Sequence, residues 1–533
     1  MKVERNQKIA LWIGLLILAG LSAWYLLTCM AFAPWGFSDS ASYFSAARNF
    51  AAGIGLGTVN PDGTFARLKF FAPFYPVALS PFVLLKMDLI DAARLLDVLC
   101  FTSLLLSGGW LFARITRSTV SGFLFALLLA FTPALGRDFI SMMSEPLALA
   151  LGIPALLLGI LAVREISPWR LLLSAVLGGL AFLTRYAFLA VPLTCGLLWL
   201  FLARTSAGKR WGYAVLFALL SLLPMLAWLG TEFFASSSVG ARLFFIPADL
   251  KSRILSMFTK MYEVLKYWLP YRSGMIPGVR AEIFSPILLV GLAALVIFGL
   301  VHSFKRWRHN RDTGLSLLLG GIILYVVLYT GVLLFSYSFS ATQIDINERM
   351  LSPLAPALYA LLLGSAGSLD RVISFKWSVP LVGILLSALF VGYNYMPLRT
   401  MLINTSAYPD GYASPAWKNN PIFTKIAALP QGVPLLSNAP DVMLFYTNRS
   451  SYTLSINTTP SGAPLSEINP ASLDEMISTQ CGYLVLFPTD LAVRYDPITL
   501  PIGEQEITKL SLTYPSIYQA IDGTILTAAQ CSQ

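Results

Sequence analysis

Eleven apolar runs recur along this 533-residue chain, each close to the roughly 17 to 25 residues that a helix needs to cross the hydrocarbon core of a bilayer. They lie near 9–31, 91–113, 118–135, 142–163, 168–184, 186–203, 211–230, 284–303, 314–336, 350–366 and 378–396. Lipid offers none of water's hydrogen bonds, so such runs must satisfy their backbone N–H and C=O groups internally, as helices. Only 12% of residues are charged against 56% apolar, and the length therefore counts membrane helices rather than soluble cores.

A formal net charge of +10 suggests nucleic acid until the cations are located. Lys2, Arg5 and Lys8, Arg114 and Arg117, Arg164, then Arg204, Lys209 and Arg210, then Lys305, Arg306, Arg308 and Arg311, and finally Arg371 and Lys376 fall in alternate connections between runs. The intervening short connections hold few cations, Arg137 and Arg185 being the main exceptions. Cytoplasmic loops collect Lys and Arg, so the N-terminus is expected in the cytoplasm, the C-terminus outside, and no nucleic acid as partner. The first run exceeds the apolar core of a signal peptide and shows no small-residue cleavage site, which marks it as an uncleaved anchor.

Three outside segments are long: 32–90, 231–283 and everything after 397. In the first, Arg48 falls in a short helix, Gly53 to Gly63 is rich in turn residues, and the aromatic, Pro-punctuated stretch Phe70 to Phe82 is expected to lie along the membrane surface. After 397 the composition turns to Pro, Asn, Ser and Thr, with strands expected near Pro434–Ser437, Tyr483–Phe487 and Ile507–Thr513 and helices near 415–428 and 470–479. The expected fold is thus mostly α: a polytopic transmembrane helical bundle of about eleven helices over 1–397, including the external loop 32–90, followed by a soluble extracytoplasmic α/β domain over 398–533. Cys29, Cys100 and Cys195 lie inside apolar runs, which leaves Cys481 and Cys531 in the polar tail as the pair able to form a disulfide.

The residues able to carry chemistry collect on the outside lip of the bundle. Asp39 follows the first run in Gly36-Phe-Ser-Asp39-Ser-Ala-Ser-Tyr43, where Asp39 or Ser38 could equally cap the next helix. Glu145, in Ser144-Glu145-Pro146, opens the fourth run close to Arg137 and Asp138; a carboxylate there also suits the helix dipole. Arg185 and Tyr186 mark the turn between the fifth and sixth runs, and Asp345, Glu348 and Arg349 precede the tenth. Arg67, Lys69, Arg185, Arg242 and Arg349 are outside cations available to a phosphate, and Tyr75, with Phe70, Phe71 and Phe74, offers an aromatic surface to a polyprenyl chain or a sugar face. Transporters commonly place ionisable residues near the bilayer midplane, where each costs roughly 2.5 to 3.5 kcal/mol on insertion scales, and the run centres show few. His302 and His309, the two histidines, share one cytoplasmic loop, which excludes imidazole catalysis or a histidine-held zinc on the outside.

The order of these segments resembles the GT-C superfamily of integral membrane glycosyltransferases, in particular the branch of protein O-mannosyltransferases and the lipid A aminoarabinose transferase. The resemblance covers most of the chain and rests on Phe37-Ser-Asp39-Ser-Ala-Ser-Tyr43, Lys69-Phe-Phe-Ala-Pro73-Phe-Tyr75-Pro76, Ser144-Glu145-Pro146, Leu183-Thr-Arg185-Tyr186 and Asp345-Ile-Asn-Glu348-Arg349-Met-Leu-Ser-Pro353. It implies transfer of a sugar from a polyprenyl-phosphate donor in the plasma membrane to a glycan, lipid or protein acceptor in the cell envelope, with inversion. Asp39 matches the catalytic base and Glu145 the second acidic position. Ser40 replaces the second acid that protein mannosyltransferases carry beside the base, which weakens the case for a protein acceptor. Two carboxylates with several waters would suit Mg²⁺ or Mn²⁺ at Asp39 and Glu145, although a phosphate leaving group flanked by cations needs neither metal nor acid. A lipid or polymer transporter and a non-catalytic membrane assembly protein are the alternatives.

Overall fold

In the computed structural model residues 2–68, 71–236, 245–268, 281–309, 314–340, 346–369, 378–454, 470–488 and 504–531 are described. The chain forms two compact units, one of Met1–Cys29, Leu95–Ile140 and Ser144–Ile403, the other of Met30–Arg94, Ser141–Met143 and Asn404–Gln533. The helices in chain order begin with α1 (Lys2–Cys29), α2 (Ser38–Ala51), α3 (Phe74–Leu84), α4 (Leu89–Thr116), α5 (Thr119–Ala130), α6 (Pro133–Asp138), α7 (Glu145–Glu165) and α8 (Pro168–Thr184). They continue with α9 (Ala190–Leu202), α10 (Ala207–Ser236), α11 (Leu250–Trp268), α12 (Ala281–Arg308), α13 (Gly314–Phe339), α14 (Glu348–Leu351), α15 (Leu354–Leu369) and α16 (Ser378–Ala407).

Each of the eleven apolar runs has a helix. Among the described residues seven helices are long and apolar enough to cross a membrane, namely those containing Arg5–Cys29, Leu89–Thr116, Glu145–Glu165, Ala207–Thr231, Pro286–Arg308, Gly314–Phe339 and Pro380–Ala407. Shorter apolar helices cover Thr119–Ala130, Pro168–Thr184, Tyr186–Leu202 and Leu354–Leu369. The chain is a multi-pass membrane protein. The third run departs from expectation: its helix stops at Ala130 instead of continuing to 135. Pro133 drives the preceding Thr132 into extended backbone and then starts the short α6 as its first residue. That break delivers Arg137 and Asp138 on a helix of their own.

The centre of the first unit is α7, most of whose residues are buried. With no hydrophobic drive between helices in lipid, small residues decide how closely they approach. A Cβ at Gly152 would come within 2.4 Å of the Phe188 ring, and one at Gly159 within 2.5 Å of Cys195 Sγ, so α7 touches the Tyr186–Leu189 turn and α9 through bare backbone.

In the second unit α2 packs against α3 and α19 (Pro440–Thr447). Phe44 stacks on Phe445 at 5.0 Å between ring centres, and Tyr43 meets Phe71 and Tyr75 edge-on, each at 5.0 Å. The turn-rich stretch after Gly53 contains an antiparallel hairpin of β1 (Gly57–Val59) and β2 (Phe65–Arg67), tied to α2 by Asn49 Nδ2 donating to Gly57 O at 2.8 Å. Phe74–Leu84 is helical, as a surface segment would be.

The rest of that unit is a five-stranded mixed sheet in the order β4 (Tyr452–Thr453), β3 (Leu435–Ser437), β5 (Tyr483–Leu486), β7 (Gly523–Leu526), β6 (Ser516–Ala520). Helices α17 (Pro415–Lys418), α18 (Ile422–Ala428) and α20 (Pro470–Ser478) fall where helices were expected. The strand expected at Ile507–Thr513 is instead part of a helix, Glu504–Thr513: Ile507 and Leu510, three apart, pack on the sheet core of Leu436, Leu484 and Leu526. Cys481 and Cys531 form a disulfide 50 residues apart in sequence, which on the chain-entropy account removes about 4 kcal/mol of unfolded-state freedom.

Gly159→Leu should lower the unfolding midpoint of the detergent-solubilised protein, by an overpacking cost of about 1–3 kcal/mol, whereas Gly196→Leu, where a Cβ meets nothing within 4 Å, should leave it unchanged. Equal midpoints for the two variants would show that α7 and α9 are not in close contact.

Candidate active site

In the first unit, Glu145 is the first residue of α7 and is 1% exposed. A carboxylate this buried requires compensating charge. Arg185 and Arg349 supply it by converging on one oxygen: Arg185 Nη1 pairs with Oε1, and Arg349 Nε lies 2.8 Å from the same atom, while Oε2 is 3.5 Å from Ser144 Oγ. Arg185 stands in extended backbone where α8 ends, directly before the Tyr186–Leu189 3-10 turn whose Phe188 fills the space above Gly152. Its Nη2 donates to Met350 Sδ at 3.0 Å, a weak acceptor that an oxyanion would readily replace. Arg349 sits on α14, whose N-cap Asn347 accepts the Met350 N–H at 3.2 Å.

A second ion pair extends the cluster. Glu348, adjacent to Arg349, pairs with Arg137 of α6 through Oε2 and accepts the Trp268 indole N–H at Oε1, 3.3 Å away. Arg137 and Glu348 line a cavity of about 300 Å³ with Tyr267, Trp268, Tyr359 and Asn394, at the lower end of the roughly 300–1,000 Å³ of small-molecule sites. An aromatic wall beside one acid and one cation is a surface suited to a sugar ring.

Two further carboxyls border Glu145. Asp138, 5% exposed, is pushed well above the usual carboxylate range by burial and by the neighbouring Glu145, with Ser352, Arg185 and Arg349 pulling the other way. Asp97, on α4, is fully buried, has no hydrogen-bond partner for either oxygen among the described residues, and is near enough to Glu145 for their charges to interact. Sequence reasoning passed over Asp97, although an acid within an apolar run is the mark that would have found it; the pocket aromatics Tyr267 and Trp268 carry no such mark.

Asp39, Arg67 and Tyr75 belong to the second unit. Asp39 is in the first turn of α2 and half-buried; at that helix start the Phe37 N–H donates to Ser40 Oγ at 3.0 Å. The approach to Asp39 is fixed by backbone. Met142 N–H donates to Trp35 O, Tyr412 N–H to Gly36 O at 2.7 Å, and Ser40 Oγ to Met142 O at 2.8 Å. Gly411, at φ 73°, lies so close that a Cβ would fall 1.9 Å from Gly36 O. Arg67 ends β2 and is exposed, and Tyr75 is fully buried against Tyr43. Tyr186 opens the turn after Arg185. Lys69, Arg242 and Asp345 lie outside the described residues. Among those that are described, no group of three or more His, Cys, Asp or Glu could hold a metal ion.

The fold has counterparts among solved structures. Two solved structures are similar along nearly the whole chain: ArnT from Cupriavidus metallidurans bound to undecaprenyl phosphate, with a TM-score of 0.58, 12% identity and coverage of 97% of this chain and 98% of that one; and the archaeal oligosaccharyltransferase AglB from Archaeoglobus fulgidus in complex with an inhibitory peptide and a dolichol-phosphate, with a TM-score of 0.51, 11% identity and coverage of 97% and 74%. At this identity the likeness establishes the fold. No family model and no curated protein matches the sequence.

The raised pKa of Asp138 makes a stability prediction with a definite sign. The native state holds a proton that the unfolded chain releases near pH 4, so the contribution of Asp138 is complete at lower pH and is lost as pH rises toward the native value. The wild-type unfolding midpoint should fall relative to that of Asp138→Asn between pH 5 and 8; parallel pH profiles would show that Asp138 is ionised in the folded protein.

Proposed function

We propose that this protein is an inverting glycosyltransferase that moves a sugar from a polyprenyl-phosphate donor to a hydroxyl of a glycan, lipid or protein on the extracytoplasmic side of the plasma membrane. One observation carries the proposal: in a GT-C fold, a fully buried Glu145 gathers Arg185 and Arg349, while Glu348, next to Arg349 in sequence, lines an aromatic cavity with Arg137. Three arginines, Arg137, Arg185 and Arg349, stand against the two ion-paired carboxylates of Glu145 and Glu348, which suits the cluster to an anion. The undecaprenyl phosphate named with ArnT and the dolichol-phosphate named with AglB are ligands of this chemistry. The Cys481–Cys531 disulfide favours an oxidising compartment for the C-terminal region, in agreement with the distribution of cations.

In the proposed reaction the acceptor oxygen attacks the anomeric carbon, the bond from that carbon to the phosphate oxygen breaks, and the acceptor proton passes to Asp39. The departing phosphate keeps the bonding electrons and its charge is met by Arg185 and Arg349, so no general acid is needed. Glu145 fixes the two guanidinium groups in place and exchanges no proton. Its Oε1 already meets two cations, which makes it a poor ligand for Mg²⁺ or Mn²⁺, and the proposal requires no metal there. Lys69, Arg242 and Asp345 remain candidate contacts to the donor on the strength of the resemblance.

Incubating the purified protein with a panel of radiolabelled polyprenyl-phosphate sugars should identify one donor that is bound and consumed. Asp39→Asn should bind that donor as the wild type does and lose transfer by about 10²- to 10⁴-fold. Wild-type turnover in that variant would remove Asp39 as the base, and translocation of the lipid without formation of a glycoside would replace the enzyme with a transporter.

A further inference from the structure

At the far end of α7, about 30 Å from Glu145 by helical rise, the first unit contains a second cavity of about 470 Å³. Four cations line it: Lys8 from α1, Arg114 from α4, Arg117 from the turn before α5, and Arg164 from the last turn of α7. The carboxylate in the lining, Glu165, is ion-paired with Arg170, which does not face the cavity. Among the described residues neither Arg114 nor Arg117 has an ion-pair partner. Arg164 donates from Nη1 to Arg114 O at 3.2 Å and Ile115 O at 2.9 Å, which secures the α4 end.

The apolar side of the cavity is equally specific. Trp12 and Trp110 lie 6.4 Å apart between ring centres, and the Arg114 guanidinium is 5.9 Å from the centre of the Trp110 ring. Paired indoles beside cations are what a membrane–water boundary selects. From Trp12 a strip of exposed side chains continues along α1, with Ile9, Ile13, Leu16, Ile17, Leu21 and Trp24 each 48–63% exposed. Basic loops alone require cations at this end of the helices, but neither a cavity lined by four of them nor an apolar track leading out of it.

We infer that this cavity binds the phosphate-bearing head group of an anionic phospholipid, whose acyl chains lie along α1. The head group meets Arg114 and Arg117, Trp12 and Trp110 flank its glycerol region, and the strip from Ile13 to Trp24 covers the chains. A soluble phosphate compound would use the cations and leave the strip unused. The inference is independent of the proposed transferase activity.

The full-length protein, reconstituted in nanodiscs of phosphatidylcholine mixed with phosphatidylglycerol, should release into native mass spectrometry with phosphatidylglycerol retained in preference to phosphatidylcholine. The double variant Arg114→Gln, Arg117→Gln should retain roughly tenfold less or lower still, and Arg114→Lys, Arg117→Lys should restore retention because charge is kept. Lys305→Gln, Arg306→Gln removes two cations from another basic segment and should retain phosphatidylglycerol as the wild type does. Equal loss in the Lys305 and Arg306 variant would reduce the effect to general surface charge and overturn the site. So would undiminished retention in the Arg114 and Arg117 variant, or displacement of the lipid by inorganic phosphate at comparable concentration.

Discussion

A carboxylate taken almost wholly out of water and held by two guanidinium groups is the constraint on which the first unit depends. Arg185 and Arg349 converge on Glu145, and removing one partner of such a buried group typically costs about 3–5 kcal/mol because the other is left uncompensated. Both arginines reach it through short, irregular backbone: the extended residue and 3-10 turn after α8, and the Asn347-capped turn of α14. Gly152 leaves room for Phe188, so a missing side chain on α7 two turns below Glu145 helps set where Arg185 stands. Packing, turn geometry and electrostatics are one problem here.

Electrostatics then separate the acidic groups by role. Glu145 and Glu348 are tied to three arginines, and burial raises Asp138 above the usual carboxylate range, so among the ion-paired groups positive charge exceeds negative. A phosphate leaving group needs that positive field and not a proton. The demand on acid–base chemistry shrinks to one base, the role proposed for Asp39, whose helix start is fixed by Ser40, Trp35, Gly36 and the left-handed Gly411.

Much of this was legible in the sequence because the strongest signal, apolar length, is also the strongest physical constraint in lipid. Glu145, Arg185 and Arg349 were visible as polar residues at the same lip of different runs, although nothing in their spacing showed that they meet. Misreadings occurred where local patterns were short. Ile507–Thr513 reads as a strand, yet its apolar residues three apart serve a helix. The end of the third helix was written in Thr132-Pro133 but obscured by continuing hydrophobicity. Asp97 was hidden for the opposite reason: one acid does not disturb the mean character of an apolar run, and its importance lies in what it faces across the bundle.

The central claim is that Glu145 acts by holding two arginines for the donor phosphate, and Glu145→Gln tests it directly, since the amide keeps the shape and removes the charge. Donor affinity, measured by equilibrium binding of a radiolabelled polyprenyl-phosphate sugar to the purified variant, should fall by at least about tenfold, while the pH dependence of the remaining transfer keeps its wild-type form. Unchanged donor affinity together with loss of the acidic limb of the pH–rate profile would contradict the claim and make Glu145 itself the proton acceptor.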